Sequence, residues 1–366
     1  MELSPVAGDA VLKRVLPSEA APDYDLLRVS QRQALRMHWV GRSCTDGAGQ
    51  PPRGGVTFGI DTQGFAMNHR LPPALLASLT LLSVVSLFAQ APGVKIVRDR
   101  GEEYEALVEK AGEYRIAGQL LSTTMLTQQL RRTSCVLKLP KPAVDRLTDR
   151  EIWQHSQAAH VRVGWYYLCH RCEKWHLNLA GGGYFITADG VVATCHHVIK
   201  PNPSHREAYL AAADESGQVF PVAELLAANE GADTAIIRVQ VSSPAKPLAL
   251  NTNVWPGDGA WCFSDPLGRA SYFSKGIVNR FYWHQCHGAE SARIEVSADW
   301  APGSSGAAVL DECGNAIGHV SEISSGGASK PHGTNQPSRA ASALIVFHSA
   351  VRAADVMALV RSETRE

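Results

Sequence analysis

Along this chain the rhythm of apolar and polar positions changes several times. From Leu71 to Phe88 the sequence is almost continuously apolar. Between 101 and 132 the spacing is helical. Glu102, Glu103, Tyr104, Leu107 and Val108 form one set, broken at Gly112, and Leu120, Leu121, Met125, Leu126 and Leu130 form a second. Leu139-Pro140-Lys141-Pro142 reads as extended. Thr148-Asp149-Arg150-Glu151 is a capping box that opens a short helix ending near Ala159. From Val161 onward the pattern shortens to strand-length apolar runs bounded by turn residues. The clearest is a hairpin: Tyr184–Thr187 runs out, Asp189-Gly190 turns, and Val191–Thr194 returns. Near the end, Ala350–Val360 reads as a closing helix.

Composition adds limits. Lys plus Arg and Asp plus Glu both number 35 in 366 residues, and this balance argues against a nucleic-acid or anionic-membrane partner. There is neither a phosphate-binding glycine loop nor a repeat period. The apolar run follows Met67-Asn68-His69-Arg70 and precedes Ala89-Gln90-Ala91. A basic stretch, an apolar stretch and an A-x-A site make a secretory signal peptide over 67–91. Residues 1–66 then read as the product of an overlong gene model, and the mature protein as periplasmic or secreted. The alternative is a membrane anchor through 71–89, since about nineteen apolar residues are borderline for spanning. A membrane is a partner only if this segment is uncleaved.

Three segments carry candidate chemistry. Pro302-Gly303-Ser304-Ser305-Gly306 places a serine in a G-x-S-G turn, where flanking glycines leave backbone N–H groups uncovered. Ser304 precedes the glycine by two positions and fits the pattern less well than Ser305. Upstream, Thr194-Cys195-His196-His197-Val198 follows the returning strand of the hairpin, and only one of the adjacent histidines can face a cleft. Between them, Gly231-Ala232-Asp233-Thr234-Ala235-Ile236-Ile237 opens an apolar strand with an acid, which is costly to bury unless hydrogen-bonded. A serine hydroxyl needs a base, a histidine titrates near neutrality, and an aspartate orients it.

The order His, Asp, Ser, with Thr-x-x-His-Val, Asp-x-Ala-x-x-x-Val and G-x-S-G segments, resembles the trypsin-like (chymotrypsin-fold) serine proteases. The bacterial HtrA-like and glutamyl-endopeptidase-like branches are nearest in texture, here without a PDZ module. The resemblance implies an all-β core of two six-stranded antiparallel β-barrels, about 160–248 and 249–350. A helical arm and linker over 92–159 precedes them, and a helix and tail over 351–366 follows. It implies His197 as general base, Asp233 as its orienter and Ser305 as nucleophile. The oxyanion hole falls to the N–H groups of Gly303 and Ser305. The substrates are proteins or peptides, hydrolysed through an acyl-enzyme with no cofactor and no metal. The runner-up is a protease-fold binding or scaffolding protein without turnover.

The same resemblance places two pocket residues. Asp299 lies six residues before Ser305, where trypsin relatives carry the acid of the pocket floor. Val320, on the strand after Gly318, faces the pocket and His319 faces away. The aliphatic wall is weighted above the acidic floor. Apart from Cys44, seven cysteines remain, an odd number. Cys169-His170-Arg171-Cys172 with His176 falls one ligand short of a zinc set and reads as a local disulfide or a reduced structural pair. Cys195 reads as buried filler.

Overall fold

A computed structural model describes residues 96–97, 99, 103–286, 288–327 and 343–361, all within the unit Phe88–Glu366. The expected leader (1–66) and signal-like segment (67–91) lie outside the described residues. Among the described residues no helix is long and apolar enough to cross a membrane.

Among the strand-length runs after residue 160, Val191–Thr194 and Thr234–Val239 are rich in the β-branched residues that favour strands. β3 (His160–Cys169), β4 (Trp175–Phe185), β5 (Val191–Thr194), β6 (His205–Ala213), β7 (Val219–Asn229) and β8 (Thr234–Val239) pair in the order β6-β3-β4-β5-β8-β7. A further β6–β7 pairing closes this sheet into a ring. β9 (Gly259–Ser264), β10 (Tyr272–Cys286), β11 (Ala289–Val296), β12 (Ala308–Leu310), β13 (Ala316–Gly327) and β14 (Ala343–Arg352) form a closed six-stranded barrel. The protein is a chymotrypsin-like double barrel.

The continuous apolar runs of β5 and β8 are explained by burial on both faces. Val192, Ala235, Ile237 and Val239 point into the first barrel. Their neighbours Val191, Ala193 and Ile236 point the other way. They pack with Trp261, Ala308 and Leu310 of the second barrel in a cluster between the two. Each such Val or Ile contributes about 1.5–3 kcal/mol by leaving water. Leu248 and Leu250, at the expected barrel boundary, are buried in the same cluster.

The arm differs from its expected form. α1 (Tyr104–Ile116) runs straight through Gly112 and ends near Gly118, whose φ is +70°. A Cβ at residue 112 would stand 3.0 Å from the Tyr166 hydroxyl, so the glycine lets the helix lie close against the barrel rather than break. Leu121–Ser122 is a short strand, β1, paired with Leu210–Tyr209 of β6, and α2 (Thr123–Gln129) begins only after it. α3 (Asp149–Ala159) carries the expected capping box, with reciprocal Thr148 and Glu151 bonds. The expected C-terminal helix is shorter. Ala350–Arg352 belong to β14, which pairs with β11 and β13 to close the second barrel. Only Ala353–Met357 is helical (α5), and β15 (Val360–Arg361) then pairs in parallel with β2 (Cys135–Val136).

Candidate active site

His197 sits in a single helical turn, α4 (His196–Ile199), which follows directly on β5. Its neighbour His196 is turned inward and buried, and burial lowers its pKa, whereas the His197 side chain keeps 45% of its surface exposed. Asp233 closes the turn between β7 and β8. It adopts a left-handed backbone with φ +54°, a conformation that costs a non-glycine residue of order 1–3 kcal/mol. What offsets that strain is a full set of donors. His197 Nδ1 approaches both carboxylate oxygens, at 3.0 and 2.9 Å. The His197 backbone N–H donates at 3.1 Å, and the Ser321 hydroxyl donates at 2.7 Å. Burial pushes the Asp233 carboxyl upward. The hydrogen bond and charge of His197, and then Ser321, outweigh it and hold the group well below the usual carboxylate range.

An ionised carboxylate against Nδ1 keeps the imidazole proton on that nitrogen, which leaves Nε2 as the basic site. Behind the pair, His319 is fully buried beside the Tyr184 ring, with Nε2 3.4 Å from the Asp233 carbonyl. Burial drives its pKa down to about 4, so it is neutral. Arg293, also buried, donates to the Ala232 carbonyl at 2.7 Å and braces the same turn.

Ser305 lies on the turn that leads into β12. Gly303 and Gly306 flank it with φ of +105° and +90°. A Cβ at 303 would come within 2.7 Å of the Asp265 carbonyl, and one at 306 within 2.1 Å of the Gly182 carbonyl. Both positions therefore require glycine. The Ser305 carbonyl accepts from Gly182 N–H at 2.7 Å, which ties the turn to β4 of the other barrel. The Ser305 hydroxyl donates to the Ser321 carbonyl at 3.3 Å. The Gly306 N–H is taken by the Val320 carbonyl and the Ser304 N–H by the Ala301 carbonyl. Among the described residues the N–H groups of Gly303 and Ser305 meet no acceptor. Ser304 is fully buried and its oxygen accepts from the Ser264 hydroxyl at 2.9 Å, a structural placement.

The pocket residues separate. Val320 packs inside the second barrel's core with Val278, Ile294 and Trp300. Asp299 is exposed and lines a cavity of about 610 Å³ together with Arg280, Glu295, Phe347 and His348. Val320 does not line that cavity. Cys195 is fully buried and its thiol donates to the Val320 carbonyl at 3.0 Å. Its sulfur, His197 and Asp233 offer ligand atoms within 4.8 Å of one another. The donors around Asp233 and the burial that raises the Cys195 thiol's pKa make this a poor metal site.

Sequence reasoning read His319 only as facing away from the pocket, and missed Ser321, Arg293 and a second pair, His160 with Asp265, whose atoms lie 3.0 Å apart across the two barrels. Ser321 had one usable signal, its place next to Val320 on the strand already singled out. Burial pushes the Asp265 carboxyl upward, but the His160 hydrogen bond and charge prevail and lower it.

Two six-stranded β-barrels, with this histidine and aspartate on the first and this serine on the second, are similar in arrangement to a trypsin-like peptidase domain. A family model of that description matches residues 181–318, a stretch that includes His197, Asp233 and Ser305. The chain is similar to the uncharacterized protein y4bJ of Sinorhizobium fredii (strain NBRC 101917 / NGR234), with 29% identity over 152 residues. That match covers 40% of this chain, and the chain spans about a fifth of the relative's length, 22%.

Proposed function

We propose that the chain is a serine endopeptidase acting on protein or peptide substrates through an acyl-enzyme. The observation that carries this reading is the His197 imidazole held against both oxygens of an ionised Asp233, with its other nitrogen free to act as a base. Ser305 Oγ leaves the Ser321 carbonyl and gives its proton to His197 Nε2 as it attacks the scissile carbonyl. The unpaired N–H groups of Gly303 and Ser305 receive the oxyanion, each donor contributing about 2.7–4 kcal/mol to the transition state. His197 then returns the proton to the leaving amine. Water repeats the sequence on the acyl group, releasing acid and restoring the serine.

One observation favours the runner-up, a protease-fold protein that binds without turnover. The serine hydroxyl rests on a backbone carbonyl of its own barrel. A fluorophosphonate probe separates the readings. The peptidase labels stoichiometrically at Ser305, and Ser305→Ala loses both labelling and peptide hydrolysis without a change in thermal midpoint. An intact, folded protein that takes no label supports the scaffold.

A further inference from the structure

The tip of the β3–β4 hairpin gathers three soft or borderline donors far from Ser305 in sequence. Cys169 is the last residue of β3, Cys172 lies in the turn, and His176 is the second residue of β4. Their sulfur and nitrogen atoms all fall within 4.8 Å of one another, and Cys172 Sγ stands 3.0 Å from His176 Nε2. Both thiols are free. We propose that this tip is a zinc site in which Cys169, Cys172 and His176 supply three ligands of a tetrahedral ion and water the fourth.

The donor set fits the metal. Thiolate and imidazole together select zinc among the abundant divalent ions, whereas calcium and magnesium want oxygen. Tetrahedral zinc with bonds of about 2.3 Å to sulfur and 2.0 Å to nitrogen holds the two donors about 3.5 Å apart. The contact of 3.0 Å therefore has only to open by roughly 0.5 Å, within reach of side-chain rotation. Cys172 is exposed, which leaves the fourth position to solvent.

The frame is rigid before any ion arrives. Cys169 N–H donates to the Lys174 carbonyl and Glu173 N–H to the Cys169 carbonyl, closing the turn, and Arg171 N–H points at the Cys169 sulfur at 3.4 Å. Glu173 takes a left-handed φ of +54°, which swings the chain back toward His176. Cys169 is held opposite His205 of β6, and His176 opposite Tyr167 of β3. Stacking of Tyr167 on His205, with centroids 3.8 Å apart, fixes the root of the ribbon. Sites on strands braced in this way hold ligand geometry better than sites on free loops.

The test is metal content of the full chain, purified under reducing conditions without a metal-affinity step. One zinc per chain is expected by elemental analysis. The double variant Cys169→Ser/Cys172→Ser should hold less than about a tenth of an equivalent, and His176→Ala should weaken zinc binding by more than about tenfold. Cobalt-loaded protein should show a thiolate-to-cobalt charge-transfer band that the double variant lacks. Fluorophosphonate labelling is read on the same samples, so loss of the peptidase reading and loss of the zinc reading stay separate. Three results would overturn the proposal. They are failure to hold zinc after loading, a Cys169–Cys172 disulfide in the non-reduced peptide map of native protein, and zinc that persists in the double variant but leaves with His197→Ala.

Discussion

In the His197–Asp233 pair the imidazole keeps 45% of its surface in solvent and the carboxylate 10%, while in His160–Asp265 the corresponding figures are 3% and 7%. The groups and the distances are nearly the same, 2.9 and 3.0 Å. Their settings differ. The first pair lies within one barrel and receives a single hydroxyl, that of Ser321, from the other. The second spans the barrels, from the start of β3 to the loop after β9, where the Asp265 carbonyl sits against Gly303 and Leu267 N–H bonds to the Pro302 carbonyl. Among the described residues the buried His160 Nδ1 has no hydrogen-bond partner, whereas the His197 ring has an open face. A histidine–aspartate pair is thus a reactive device only where one ring nitrogen reaches substrate. Sealed on all sides, it is a fastening whose attraction is set against desolvation.

That contrast is broken most sharply by truncating each histidine. His197→Ala should lower kcat on the order of 10⁶-fold and leave the thermal midpoint nearly unmoved, as measured by peptide hydrolysis beside calorimetry. His160→Ala should do the reverse. It strands a buried carboxylate and should cost about 3–5 kcal/mol in denaturant unfolding. Comparable kinetic losses in the two variants, with stability intact, would erase the distinction.

A smaller effect comes from the neutral histidine behind the first pair. The unfolded chain protonates His319 near its ordinary value of 6.5, while the folded chain does so only near 4. Stability should therefore fall as pH drops through that window, by about 3 kcal/mol in total, and His319→Gln should flatten the fall. Below it the depressed Asp233 takes over, since its contribution is present above the ordinary carboxylate value of 3.8 and lost on further acidification. Urea titrations at a series of pH values read both windows. An unchanged slope in His319→Gln would show that the buried imidazole is not the group responsible.

What the sequence disclosed and what it withheld follow one physical division. The Asp189-Gly190 turn, the capping box at Thr148 and the ordered His197, Asp233 and Ser305 segments were legible because each depends on a few adjacent residues. Ser321 reaches Asp233 across 88 positions and His160 reaches Asp265 across 105, and nothing local marks either partner. Gly112 misled because its helix-weakening tendency is outweighed by the close approach it permits to Tyr166. Leu121 fell into the helical pattern, yet the edge of β6 recruited it as a strand.

The backbone bond from Gly182 to Ser305 has a consequence for how the chain matures. Its two ends are more than a hundred positions apart, so during synthesis the first barrel emerges long before the turn that it must hold. A half-made chain carries the imidazole and the carboxylate but not the serine in its place. On the proposed mechanism, assembly of the two halves is thus the step that completes the site.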